Sequence, residues 1–201
     1  RIDPLLPQAY AVRGLLETMQ WEGKRIGSGN IVAAASFEKA LELNPSLADA
    51  YVWFASLRGA EGEIEKAIDL LTMALTIDPL SRIPYVNLPS LLATEGQNER
   101  TTELLLHAVK LFPDWATPYS YLSRHMQGLG RLDAAIAWGL RASVFSQDPM
   151  TGGQLIGIYQ DFGDDSAITE FIETFPKDHP LYPIGQSYWY YVKRDYKGAL
   201  S

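Results

Sequence analysis

The chain has no cysteine. That excludes disulfides, thiolate metal sites and cysteine nucleophiles. Histidine is scarce: His107, His125 and His179 stand far apart. Neither His107 nor His125 has a serine or carboxylate partner at a spacing that reads as a nucleophile–base pair. Positive charge is thin as well. Seventeen Lys and Arg against 24 Asp and Glu leave a net charge of −7. Apart from Lys24-Arg25 and Lys193-Arg194 the basic residues are scattered, so nothing grips a phosphate backbone and nucleic acid is excluded as a partner of this region. No apolar run approaches the ~20 residues that span a bilayer, which excludes a membrane helix. There is no initiator Met and no signal-peptide pattern. The first residue is Arg1 and the last segment is "YKGALS", so the chain reads as a piece of something longer. A cytoplasmic location is expected.

What is present is material for a core. Hydrophobic residues make up 47% and charged ones 20%, a balance that buries apolar surface and argues against disorder. The 201 residues suit one ordinary domain or an array of small units. Helical runs end in proline in "RIDP", "LELNP", "LTIDP" and "KLFP", at Pro4, Pro45, Pro79 and Pro113, the last three 34 apart. Tyr51, Tyr85 and Tyr119 keep that step, as do Ala40, Ala74, Ala108 and Ala142. Ala33, Ala67 and Ala135 keep it too, with Thr101 in the missing slot. Several residue classes in one register mark a repeat.

Each unit holds two apolar-periodic runs joined by a short polar turn. In the second copy these are 48–59 and 64–77, with Gly62 as the breaker. Ser46 and Asp49 are spaced as a capping box. Ala67, Leu71 and Ala74 share one helix face. Pro79 cannot extend the helix before it, whereas Pro84 and Pro118 fall in first turns, where proline is tolerated. Pro89 falls inside a helix, so a kink or broken turn is expected there.

The slots can be read across copies. Early in the first helix stand Tyr10, Tyr51, Tyr85 and Tyr119; at its middle, Gly14, Ala55, Pro89 and Ser123. The second helix carries Ala33–Phe37–Ala40, Ala67–Leu71–Ala74, Thr101–Leu105–Ala108 and Ala135–Gly139–Ala142. This pattern resembles the tetratricopeptide repeat, a 34-residue helix–turn–helix unit, most strongly over 46–148. The resemblance implies an all-α fold, an α-α superhelix: a right-handed solenoid of antiparallel helix pairs. It implies one array over 1–201, with repeats near 7–45, 46–79, 80–113, 114–148 and 149–176, and a partial one at 180–201. The first copy departs from the pattern with about seven extra residues around "EGKRIGSGN"; the fourth has Gln147 where proline is due. The array reads as cut within a repeat at both ends.

Letter-level motifs dissolve on inspection. "GKRIGSGN" lacks phosphate-loop spacing and no strand precedes it. It reads as an insertion capped by Asn30, ahead of a helix from about Ile31, and not as an anion site with Arg25. "DFGDD" at 161–165 reads as an inter-helix turn, with Asp165 or Ser166 as cap. His107 and His125 fall on consecutive helices and are expected near one another without forming a metal site. "QSYWYYVKRDY" at 186–196 reads as internal packing, with a partner-binding patch as the alternative. Neither a cofactor nor enzymatic activity is expected.

What remains is a binding surface. In the resembled family the first helices line a concave face, through the second, fifth, ninth and twelfth positions of each repeat. Carried over, these give Val52, Ser56, Val86, Ser90, Ser120, Arg124, Gln127, Tyr159, Tyr188 and Tyr191 as a candidate groove. An apolar, Tyr-rich groove suits an extended peptide or a helix of a partner protein. The Lys and Asn of a clamp for a C-terminal carboxylate are missing, since Ala11, Leu15, Val52 and Ser56 stand at the corresponding positions. The expected function is therefore a protein-interaction scaffold, with dimerisation through a truncated end as a further option. The alternative is the sensory or oligomerisation region of a larger bacterial transcription regulator or signalling enzyme.

Overall fold

A computed structural model describes residues 6–21, 29–146, 154–155 and 157–158. Eight α-helices and no strand occur among them: α1 Pro7–Trp21, α2 Gly29–Leu43, α3 Ala48–Ala60, α4 Ile64–Ile77, α5 Arg82–Thr94, α6 Asn98–Leu111, α7 Ala116–Gly128 and α8 Leu132–Phe145. Helices α3, α5 and α7 begin at 48, 82 and 116, and α4, α6 and α8 at 64, 98 and 132. Both series advance by 34. Gln154, Leu155, Gly157 and Ile158 are helical too. The aspartate-rich turn at 161–165, the fifth and sixth copies beyond residue 158, and the aromatic run at 186–196 lie outside the described residues.

The turns inside the pairs are set by glycine. Gly62, Gly96 and Gly130 have φ of 81°, 68° and 73°, the left-handed region that side chains with a Cβ disfavour. At the first of them the Glu63 N–H donates to the Arg58 carbonyl at 2.9 Å and the Gly62 N–H to the Gly59 carbonyl at 3.0 Å. This is the Schellman closure of a helix C-terminus. The same pair of bonds recurs at Gln97 and Gly96, and at Arg131 and Gly130. These three glycines are themselves 34 apart, a register the proline and tyrosine pattern does not reveal.

The turns between pairs use side-chain oxygens. Asn44 Oδ1 accepts from the Ser46 N–H, and Asp78 Oδ1 from the Leu80 N–H, each at 3.0 Å. These Asx turns carry the chain around Pro45 and Pro79. They also correct the expected capping box: Leu47 is the N-cap of α3 and makes no side-chain cap bond. With its N–H committed to Asn44, Ser46 belongs to the turn, one residue too early to cap. Asn30 is likewise no cap, because α2 already begins at Gly29. α5 is continuous through Pro89, so the expected break does not occur. The missing N–H removes one bond, to the Tyr85 carbonyl, and the buried Pro89 ring packs in the interior.

Tyr85 and Pro79 recur together for a physical reason. The Tyr85 hydroxyl donates to the Pro79 carbonyl at 3.1 Å, and the Tyr119 hydroxyl to the Pro113 carbonyl at 2.9 Å. Each bond ties a first helix to the junction before it. Burial raises the Tyr85 pKa above the ordinary phenol value.

Contacts divide the chain into two units, 1–101 and 102–201. In the first, Ala33, Phe37, Phe54 and Leu57 form a core between α2 and α3. The Phe37 and Phe54 rings stack with centroids 5.4 Å apart. Ala11, Ala40 and Ala50 meet in a second cluster, where small residues let α1, α2 and α3 approach. Arg58 closes the end of α3. Its guanidinium lies 4.7 Å over the Phe54 ring, 2.8 Å from Glu61 and 3.2 Å from Glu63. The hydrogen bond from Lys66, and then Arg58, hold the Glu63 carboxyl below the ordinary carboxylate range. Thr101 fills an alanine slot because its hydroxyl donates to the Gln97 carbonyl, leaving no unpaired polar group buried. In the second unit, Leu105, Leu122, Met126, Ala135 and Ile158 form the core. There the buried Ser123 hydroxyl donates to the Ala135 carbonyl at 2.7 Å.

The small-residue register has a direct test. Ala74 and Ala108 are fully buried. Replacing either with leucine is expected to cost about 1–3 kcal/mol through overpacking, read from the midpoint of urea unfolding. Tolerance of both changes contradicts the register.

Candidate functional site

Two of the ten sequence-predicted positions share one described place in the first unit. Ser56 on α3 and Ser90 on α5 line a single cleft of about 250 Å³, with Gly59, Asn87 and Leu91 at its sides. Its floor is Ala55 and Leu71, both buried. The spacing explains the convergence: Ser56 and Ser90 occupy equivalent positions of consecutive first helices. α5 packs against α4 behind them.

The hydrogen bonding of the cleft is uneven. Ser56 donates to the Val52 carbonyl at 3.2 Å, and Ser90 to the Asn87 carbonyl at 3.0 Å. Both hydroxyls thus spend their proton on their own helix and offer only lone pairs to a visitor. Asn87 differs. It is half-buried, and its carboxamide makes no hydrogen bond to any described residue. One acceptor and two donors are therefore free beside an apolar floor. No charged residue lines this cleft.

The other candidates are placed differently. Val52 is only 3% exposed, which corrects its assignment to an open groove. α3 packs against α1 as well as α2. Val86 is half-buried on α5. In the second unit, Ser120, Arg124 and Gln127 follow one face of α7 at i, i+4 and i+7. The Arg124 guanidinium lies 4.6 Å over the Tyr121 ring, and the Ser120 carbonyl accepts from Gln154 at 3.1 Å. Tyr159, Tyr188 and Tyr191 lie outside the described residues. His125 Nε2 is 3.1 Å from Thr102 Oγ1. Among the described residues no group of three His, Asp or Glu is placed to hold a metal ion. No helix among them is long and apolar enough to cross a membrane.

Asn87 was missed by position counting. The signal available in the sequence was a lone Asn three residues before Ser90, flanked by Val86 and Leu88. An amide in an otherwise apolar stretch is a polar group that needs a reason.

No protein-family model and no curated protein matches the chain. Solved structures do. pilF of Pseudomonas aeruginosa superposes with a TM-score of 0.67 at 16% identity, covering 96% of this chain and 89% of that one. YrrB, described as a TPR protein with an unusual peptide-binding site, superposes with a TM-score of 0.62 at 18% identity, over 96% of this chain and 89% of its own. The chain has the tetratricopeptide-repeat fold. MamA is similar to it as well, with a TM-score of 0.64 at 18% identity over 81% of this chain and 88% of MamA. At these identities the likeness is one of fold. Within the tetratricopeptide fold, the Asn87 cleft lies between the first helices of two successive repeats, α3 and α5.

Proposed function

We propose that this chain is a protein-interaction scaffold that holds an extended segment of a partner protein across the cleft between α3 and α5. The observation that carries the reading is the Asn87 carboxamide, which bonds no described residue, above an apolar floor. A carboxamide offers a donor and an acceptor side by side, the complement of one peptide group. An extended backbone has that peptide group free. A helix has already spent its own internally, so the extended form is the better match. The cleft is smaller than the roughly 300–1,000 Å³ that encloses a drug-sized ligand. It suits one or two uncharged side chains of a segment lying over it. Ser120, Arg124 and Gln127 on α7 are proposed, by themselves, as a contact surface of the second unit. YrrB, a tetratricopeptide protein with a peptide-binding site, sets the precedent for the fold. No observation among the described residues favours the regulator reading.

The test is a random-peptide display selection against the whole chain, with affinities measured by fluorescence anisotropy. Asn87→Ala is expected to weaken the selected peptides about tenfold, the loss of two neutral hydrogen bonds. Ser90→Leu, at an exposed position, fills the cleft and is expected to abolish binding. Peptides that bind both variants as well as the parent chain place the site elsewhere.

A further inference from the structure

Gly59 is the residue of the α3–α5 cleft that the fold does not explain. It lies within α3, one residue before its end. Its backbone is not in the left-handed region that Gly62, Gly96 and Gly130 occupy. A Cβ placed there would meet only the Ala67 methyl, at 4.0 Å, an ordinary contact. The equivalent positions of α1, α5 and α7 hold Thr18, Ala93 and Gln127, so this place in a first helix accepts side chains of several sizes. Glycine also weakens a helix relative to alanine. Neither backbone geometry nor internal packing therefore asks for glycine at 59. What the missing side chain does leave is open space in the cleft, which Gly59 lines beside Ser56 and Asn87.

The chain itself shows what such a space holds. At Gly14 the Phe37 ring occupies the volume a Cβ would take, and at Gly139 the Leu155 side chain does so. Both fillers are large, apolar and fully buried. At Gly59 no described residue does the same. The chemistry of the cleft matches such a filler from outside. Its floor, Ala55 and Leu71, is apolar and no charged residue lines it, so a charged side chain would lose water without meeting a counter-charge. The Ser56 and Ser90 hydroxyl protons are spent on their own helices, so a carboxylate finds no donor in them.

We propose that Gly59 sets the specificity of the cleft: its missing Cβ admits one large apolar side chain, a leucine or phenylalanine of the partner segment, over the Ala55–Leu71 floor. This rests on the cleft reading above and adds the side chain that the partner must carry. The probes are peptides selected by display on the whole parent chain, each remade with alanine at its Leu or Phe in turn. One such replacement is expected to weaken binding at least about tenfold. Gly59→Ala in the chain is expected to weaken the selected peptide about fivefold or more. The alanine-bearing peptide should bind Gly59→Ala and the parent chain alike. The urea midpoint of Gly59→Ala should equal or exceed the parent's, since alanine lowers the entropy of the unfolded chain. Peptides that lose affinity with Asn87→Ala but bind Gly59→Ala unchanged overturn the specificity role and leave the cleft reading standing. So do peptides that carry no large apolar side chain, or that lose equally with and without it. A lowered urea midpoint for Gly59→Ala makes glycine a requirement of the fold and also overturns the proposal. Peptides indifferent to Asn87→Ala, Ser90→Leu and Gly59→Ala, or a selection without binders, overturn both readings.

Discussion

Phe37→Ala is expected to lower the unfolding free energy of the chain by about 3–5 kcal/mol. Phe37 is fully buried, stacks on Phe54 and joins α2 to α3 within one core. It also fills the space that Gly14 leaves on α1. A Cβ placed on Gly14 would meet three atoms of the Phe37 ring at 2.8–2.9 Å. The two residues therefore share one slot, glycine on the first helix and phenylalanine on the second. Gly14→Leu alone is expected to destabilise by overpacking. Combined with Phe37→Ala it should fill part of the cavity and recover stability. A coupling of about 0.5–3 kcal/mol in the double-mutant cycle is the expected size for such contacting residues. Urea unfolding of the four chains measures it. A loss below about 1 kcal/mol for Phe37→Ala would show that the ring is not the centre of that core.

Gly139→Leu should fail although the repeat pattern recommends it. Phe37, Leu71 and Leu105 fill the corresponding slot of the other copies, and all three are buried. Gly139 is small because Leu155 has entered from the next segment. A Cβ on Gly139 would lie 2.5 Å from Leu155 Cδ2 and 2.9 Å from Ser123 Oγ. Leu155 is fully buried, and the Ser123 hydroxyl is held to the Ala135 carbonyl, so neither yields cheaply. The expected loss is about 3 kcal/mol, the upper part of the overpacking range. Adding Leu155→Ala to Gly139→Leu should restore most of it, and the urea midpoints of both chains test this. A stable Gly139→Leu single variant would show that Leu155 does not occupy the slot.

These two predictions show where the repeat pattern carries and where it stops. The pairs were legible because helix formation, proline stops and buried alanines leave local marks at a fixed step. Tyr85 and Tyr119 were legible as positions. Their bonds to Pro79 and Pro113 explain why tyrosine and proline travel together, which the letters alone did not. The glycines at 62, 96 and 130 were in plain sight at the same step, and only Gly62 entered the reading. What did not transfer was anything set by a neighbour. Val52 stands at an open position of the resembled pattern but is buried in the fold. Ser46 had cap spacing, yet the Asn44 side chain claimed its N–H for the turn. Asn87 became notable only because its carboxamide bonds none of the described residues, a tertiary fact. Burial against a neighbouring helix is a property of pairs of segments, and a per-residue pattern does not contain it.

The central claim is that an extended segment lies across the α3–α5 cleft with its backbone against Asn87. Intermolecular nuclear Overhauser contacts between a display-selected peptide and the labelled chain test it most directly. The account predicts contacts to the methyl groups of Ala55, Leu71 and Leu91. It also predicts a downfield shift of the Asn87 side-chain amide protons on binding, the mark of a new hydrogen bond. A tight-binding peptide whose contacts all fall elsewhere, with the Asn87 amide unmoved, contradicts it.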